Sequence, residues 1–250
     1  VIIGRNEGER LRICIDSVIG SVEAVVYVDS GSTDDSVVMA RGKGVEVMEI
    51  DMSLPFTAAR ARNAGWQHLR RIFPHVPYAQ FVDGDCEVVP GWLGTGVDFL
   101  DTHGEVAAVC GRRRERYPSK SIYNQLCDIE WDTPVGEARA CGGDAMMRIK
   151  ALEAVGGFRP DLIAGEEPEL CVRLRARGGK VWRLGNDMTL HDAAMTRFSQ
   201  WWNRARRAGY AFAWGVWLHG APPERHYFAQ ARRALIWGLL FPILVHAATL

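Results

Sequence analysis

The sequence predicts an α/β fold: a mainly parallel central sheet with helices on both faces. Three observations carry that expectation. Apolar runs of strand length alternate with segments of helical periodicity through the first hundred residues, the pattern of strands joined by crossover helices. Polar clusters follow the first, second and fourth apolar runs, at the strand ends where open α/β sheets bind ligands. The 250 residues, 48% hydrophobic and 24% charged, suffice for a full core.

Val1–Ile3 reads as a buried strand leading into Gly4-Arg5-Asn6-Glu7-Gly8. A helix is expected from Glu9 to Ile19, because Leu11, Cys14, Ile15, Val18 and Ile19 fall at helical spacing. Val25–Val28 is the second strand, ending in the turn and cap formers Asp29-Ser30-Gly31-Ser32-Thr33-Asp34-Asp35. A short helix over Ser36–Gly42 and a third strand over Val45–Ile50 follow. The alanines at 58, 59, 61 and 64 favour a helix from Phe56 or Thr57 to Ile72, which Pro74 and Pro77 break. Ala79–Val82 is the fourth strand, and Pro90 suits the first turn of the helix that carries Trp92, Leu93, Val97 and Leu100.

The second half is less regular. Val106–Cys110 reads as a strand running into the arginine-rich stretch 112–116, whose ordinary role is a solvated face. Asp128–Asp132 is mixed acidic and aromatic, and Cys141–Arg148 is a glycine turn feeding a strand. A short helix over Lys150–Val155 closes at Gly156-Gly157-Phe158, and another runs from Pro168 to about Arg177 with Gly178 as its stop. Val181–Leu184 is the final strand, with His191 shortly after it.

Thirty basic and thirty acidic side chains give zero formal charge, so nothing global points to nucleic acid, and no nucleic-acid partner is expected. The six cysteines form no Cys-x-x-Cys pair, and reduced thiols are expected rather than zinc or disulfides. The chain opens inside an apolar run without Met, as a fragment would.

The stretch Phe81-Val82-Asp83-Gly84-Asp85 organises the rest. If it stays extended, Asp83 and Asp85 point to one face, with Gly84 leaving room for close approach of a ligand. Two hard oxygen donors suit Mg²⁺ or Mn²⁺, with phosphates completing the shell. An Asx-rich turn after a strand is the plainer alternative.

Arg5-Asn6-Glu7, Asp29–Asp34, Ala61-Arg62-Asn63-Ala64-Gly65, Asp83-Gly84-Asp85, Gly156-Gly157-Phe158, Gly165-Glu166-Glu167 and His191 occur in one order, and that order resembles the family 2 inverting glycosyltransferases, which have the GT-A fold. The resemblance spans roughly residues 1 to 210. It implies that Asn6 and Glu7 lie in the nucleotide pocket and that Asp29 and Asp34 help hold base and ribose. It places Arg62 and Asn63 on the diphosphate side, Asp83 by ribose and metal, Asp85 on the divalent ion, and His191 at the metal or diphosphate. The catalytic base falls at Glu167 or its neighbour Glu166, where the family usually has Glu-Asp. The donor implied is a nucleotide-diphosphate sugar, UDP-sugar favoured, and the acceptor a saccharide or a lipid-linked hydroxyl. A carboxylate in the first turn of the Pro168 helix is expected to be held ionised by the helix N-terminus.

Thr196–Trp217 mixes tryptophan, tyrosine and phenylalanine with arginine, which suits either a membrane interface or a helix packed on the domain. Ala234–Leu250 has no charged residue and reads as a truncated transmembrane helix, with Arg225, Arg232 and Arg233 keeping the catalytic part on the cytoplasmic face of the membrane. The expected division is a catalytic domain over 1–220, with nucleotide binding to about 110 and acceptor binding beyond it, then a membrane-associated segment over 221–250. A non-catalytic nucleotide-sugar-binding module is the alternative, supported by the Glu-Glu pair. A dinucleotide oxidoreductase is disfavoured because Gly4–Gly8 lacks Gly-x-Gly-x-x-Gly.

Overall fold

The buried pair Ile2 and Ile3 forms β1 (Ile2–Gly4), around which the N-terminal half is arranged. In this computed structural model, which describes residues 1–249, the chain continues through α1 (Glu9–Val18), β2 (Val26–Asp29), α2 (Ser36–Gly42), β3 (Glu46–Glu49), α3 (Ala58–Ile72) and β4 (Tyr78–Asp83). These elements fall where periodicity puts them, and Thr57 caps α3 by accepting from the Arg60 amide at 3.2 Å. There follow β5 (Cys86–Val88), α4 (Trp92–Thr102), β6 (Val106–Glu115), α5 (Ile122–Glu130), β7 (Gly136–Ala138) and β8 (Ala145–Arg148). The order then runs α6 (Ile149–Val155), α7 (Glu166–Ala176), β9 (Lys180–His191), α8 (Phe198–His219) and a last helix, Phe228–Ala248.

The strands form one sheet in the order β3-β2-β1-β4-β8-β6-β9-β5, with β7 on β9. From β3 to β4 every ladder is parallel, and the order reverses between β1 and β4. Open α/β sheets bind ligands in the crevice that such a reversal makes at the carboxyl ends of the two strands. Beyond β4 the sheet is mixed: β8 is antiparallel to β4 and β6, while β6 and β9 run parallel.

Four local departures from expectation matter to the site. The Phe81–Asp85 stretch is not one extended strand: β4 ends at Asp83, and Gly84-Asp85 turns into β5. The Gly84 amide donates to Ile3 O at 2.8 Å, and a Cβ there would lie 3.2 Å from both that oxygen and Glu7 Cγ. Second, β9 runs on to His191, carried past Gly185-Asn186-Asp187 by a ladder with β6 that absorbs register shifts between Cys110, Arg112 and Arg113. Third, α7 begins at Glu166, with Gly165 at φ 82° before it; Pro168 is tolerated because first-turn amides have no helical partner. Fourth, Pro90 lies ahead of its helix, which starts at Trp92 after Gly91 at φ 85°.

The last helix is long and apolar enough to cross a membrane by length and composition, and none of it is buried. Of the stretch Ala234–Leu250, Leu250 lies outside the described residues.

Candidate active site

The loops after β1, β2 and β4 meet at the crevice. Asp29 is buried, and its carboxylate accepts from Tyr27 Oη at 2.8 Å and from the Gly31 and Ser32 amides at 2.9 and 2.8 Å. It shapes the loop after β2. Asn6, at φ 56°, joins that loop to the first by accepting from the Thr33 amide at 2.7 Å. Asp34 is exposed and accepts from the Ser36 amide at 3.1 Å, at the start of α2. Glu7 packs over Gly4 and Gly84, where a Cβ would come within 3.1 and 3.2 Å of its Cγ. Burial and then Asp85 push its carboxyl up to about 7, against Arg10 at 2.6 Å.

Arg62 is the hub. It projects from α3, is 2% exposed, and reaches Asp83 Oδ1 with Nη2 at 2.8 Å. Its Nη1 lies 2.7 Å from Glu166 and 2.9 Å from Glu167. One guanidinium therefore ties the end of β4 to the start of α7. The other oxygen of Asp83 faces Arg113 Nη2 at 3.0 Å, and Arg113 is itself held by buried Asp144, with Nε 2.9 Å from Oδ2. Asp144 also accepts from the Asp83 amide at 3.1 Å and from Thr189 Oγ1 at 2.7 Å. Burial opposes a charge on Asp83, but Arg62 and Arg113, helped by His191, hold it down to about 2. Gly143 covers this ion pair: a Cβ there would stand 2.5 Å from Arg62 Nη2 and 2.8 Å from Asp83 Oδ2.

Glu167 differs from its neighbours. Burial and then the adjacent Glu166 raise its carboxyl to about 7, against Arg62. The expectation that the helix N-terminus keeps this group firmly ionised is therefore corrected: removal from water and a like charge outweigh the helix end. A carboxylate of that pKa suits proton abstraction near neutrality.

On the other side of Asp83, His191 Nε2 lies 3.2 Å from Asp85 and Nδ1 lies 3.6 Å from buried Glu115. Burial would keep the ring neutral, but Asp85 and Glu115 outweigh it and raise His191 to about 9. The Trp131 ring stands edge-on to His191 at 4.8 Å and presents its face to Arg113 at 5.5 Å.

The sequence model described as Glycosyl transferase family 2 matches residues 1–155. The chain belongs to that family. This glycosyltransferase is 27% identical over 192 residues to the succinoglycan biosynthesis protein ExoA of Rhizobium meliloti, a match over 71% of the chain and 57% of that protein, so it spans little more than half the length of this curated relative. Its fold is similar to that of the mannosyltransferase PcManGT from Pyrobaculum calidifontis, solved with GDP-Man and Mn²⁺, at TM-score 0.70 and 19% identity over 99% of this chain and 73% of that one. It is also similar to glucosyl-3-phosphoglycerate synthase from Mycobacterium tuberculosis, solved with Mn²⁺ and UDP, at TM-score 0.59 and 18% identity over 85% and 77% of the two chains.

The transferase's donor set fits a hard divalent ion. One ligand atom each from Asp85, Cys86 and His191 falls within a 4.8 Å cluster, and His191 Nδ1 is buried without a hydrogen-bond partner. Burial pushes the Cys86 thiol well above its ordinary range, which keeps it protonated and leaves the Asp85 oxygens as donors, joined by the His191 imidazole once an ion displaces its proton. Asp83 falls outside this cluster, because each of its oxygens faces an arginine. Asn63 faces away from the carboxylates: its amide donates to Phe158 O at 2.7 Å and accepts from the Phe158 amide and Trp66 Nε1 at 2.9 and 3.0 Å. It pins the Gly157-Phe158 turn. Sequence reasoning missed Arg113, Asp144, Glu115 and Trp131, whose signal is tertiary. Arg113 was hidden in an arginine run, and only the strand ladder separates it from its neighbours.

Proposed function

We propose that this transferase moves a sugar from a nucleotide-diphosphate donor to an acceptor hydroxyl by a single inverting displacement. The observation that supports the reading is the shared guanidinium of Arg62, which lies 2.8 Å from Asp83 and 2.9 Å from Glu167; in this reading Asp83 serves the nucleotide and Glu167 the acceptor. Glu167 takes the proton of the acceptor hydroxyl. The acceptor oxygen then bonds to the anomeric carbon as the bond to the diphosphate oxygen breaks, and attack from the face opposite the leaving group inverts the configuration. Arg62, itself fixed by Glu166, holds Glu167 in place, and Arg113 keeps Asp83 ionised for the ribose. Asp85 and His191 are the residues that would hold Mn²⁺ or Mg²⁺, which when bound neutralises charge on the leaving diphosphate. Glu7, Asn6 and the Asp29–Asp34 loop form the nucleotide side.

Residues up to about 110 bind the nucleotide in this reading, and residues from there to 220 serve the acceptor. The donor base we put first is uracil, in line with the UDP complex of the mycobacterial synthase, although PcManGT was solved with GDP-Man. The name of the Rhizobium relative supports a role in polysaccharide or glycolipid synthesis. The last helix, none of it buried, supports attachment to a membrane, and Arg225, Arg232 and Arg233 favour its cytoplasmic face. The test is a thermal-shift panel of nucleoside diphosphates with and without Mn²⁺, followed by transfer assays with the matching sugar donors. Ion-dependent stabilisation by one base and product of inverted anomeric configuration are expected. Product of retained configuration, or no ion-dependent binding, overturns the reading.

A further inference from the structure

Helix α5 is amphipathic in the inverse sense. Its inward side carries Asn124 and Cys127, and Asp128 Oδ1 accepts from the Glu115 amide at 2.8 Å. Its large apolar side chains point outward: Ile122 is 65% exposed, Leu126 39% and Ile129 63%. Their spacing puts all three on one face. A soluble surface scatters such residues singly, and a stripe of them marks a surface meant to be covered.

The stripe continues onto α8. Tyr123 of α5 meets the Trp201 ring at 6.4 Å, and Glu130 pairs with Arg204 at 2.6 Å, so side chains join the two helices. Next to this contact Phe198 and Trp202 of α8 stack at 5.9 Å, and both are more than half exposed. Arg206 and Arg207 are exposed on the same helix. Farther along α8, Phe212 packs at 4.9 Å on Tyr227, the residue that leads into the exposed last helix.

We propose that α5 and the start of α8 form a lipid-facing surface that seats the catalytic crevice on the bilayer. This rests on the membrane reading of the last helix and extends it to the body of the enzyme. The mixture of tryptophan, phenylalanine and aliphatic side chains with exposed arginines matches an interface between acyl chains and anionic headgroups. The surface also leads to the chemistry. Trp131 follows two residues after Ile129 and touches His191, so an acceptor carried in the leaflet that faces the enzyme would reach the crevice along α5. The acceptor class this surface fits is a sugar or hydroxyl borne on a lipid.

The experiment uses the full chain in vesicles of phosphatidylcholine and phosphatidylglycerol. A polarity-sensitive fluorophore is attached in separate preparations at Ile129→Cys, at Leu244→Cys on the last helix, and at Val38→Cys, which is exposed on α2; the six native thiols are buried. Quenching by spin-labelled lipid at 129 and 244 but not at 38 is the expected result. Quenching at 244 alone overturns the proposal while leaving the last helix in the membrane. Quenching at none of the three overturns both membrane readings and leaves the transfer reaction untouched. A label at 129 that is shielded yet not lipid-quenched means a protein partner covers the face, and this too overturns the proposal. Donor hydrolysis without acceptor, measured on each labelled protein, verifies that the crevice is intact.

Discussion

Asp83 and Glu167 are held by the same side chain: Arg62 stands 2.8 Å from one and 2.9 Å from the other, with Glu166 at 2.7 Å. Arg62 is 2% exposed, so its removal leaves Glu166 and Glu167 without a counter-charge and Asp83 with Arg113 alone. Breaking a buried ion network by deleting one partner costs about 3–5 kcal/mol. Arg62→Ala is expected to lose that much by denaturant unfolding, together with transfer activity. Arg62→Lys keeps the charge but lacks the fork, and should recover part of the stability while remaining poorly active. An Arg62→Ala protein as stable as the parent would mean that the three carboxylates are not coupled through this residue.

Glu167 gives a signed pH prediction. Its carboxyl is raised to about 7 by burial and by Glu166, against the pull of Arg62, with Asp83 adding to the rise. A base must be ionised to act, so kcat/KM should fall as pH drops through about 7. Stability should move the other way. The folded state binds this proton more tightly than the unfolded chain, so the group's contribution is full below the ordinary glutamate pKa and is lost as pH rises through about 7. Glu167→Gln should lower kcat by roughly 10²–10⁴-fold with nucleoside diphosphate affinity unchanged, and should remove the acidic limb of the profile. A retained acidic limb in that variant would transfer the base role to another group.

Most elements of the first half were legible because each repeats one period: Leu11, Cys14, Ile15 and Val18 are the buried face of α1, and β2 is buried throughout. The glycine of the Arg62-Asn63-Ala64-Gly65 motif turns out to serve packing, since a Cβ at Gly65 would sit 2.3 Å from Val1 Cγ1. The second half was harder to read. Helix α5 buries Asn124 and exposes its aliphatic residues, which inverts the usual pattern, and β9 crosses a Gly-Asn-Asp stretch that locally reads as a turn. Arg113 and Asp144 are 31 residues apart and meet only because β6 and β8 are paired. No local spacing encodes such a contact.

The proposed ion site would separate direct from supporting residues. Asp85→Ala should abolish Mn²⁺-dependent transfer, and treatment of the parent with a chelator should do the same reversibly. Glu115 contributes no ligand; it accepts from Asn124 Nδ2 at 3.0 Å and from the Ala193 amide at 3.0 Å, and lies against His191 Nδ1. Loss of such an outer partner lowers metal affinity about 10–100-fold. Glu115→Gln is therefore expected to weaken Mn²⁺ binding by that factor in titration calorimetry while saturating Mn²⁺ restores turnover. Unchanged affinity in Glu115→Gln would mean that His191 is not oriented from this side.

Gly142 and Gly143 provide a matched pair. A Cβ at Gly142 meets nothing within 4 Å, whereas one at Gly143 would stand 2.5 Å from Arg62 Nη2 and 2.8 Å from Asp83 Oδ2. Those atoms are side-chain ends that would ordinarily swing aside, but here Arg62 is fixed by Glu166 and Glu167, and Asp83 by Arg113. Overpacking of a site that cannot relax costs about 1–3 kcal/mol. Gly143→Ala should lose that much stability and should weaken both nucleotide binding and turnover, because the displaced pair spans the two halves of the crevice. Gly142→Ala should be near neutral in the same unfolding and transfer assays. Equal behaviour of the two variants would show that the Arg62–Asp83 pair yields to a methyl group, and with it the rigidity on which the link between nucleotide and base depends.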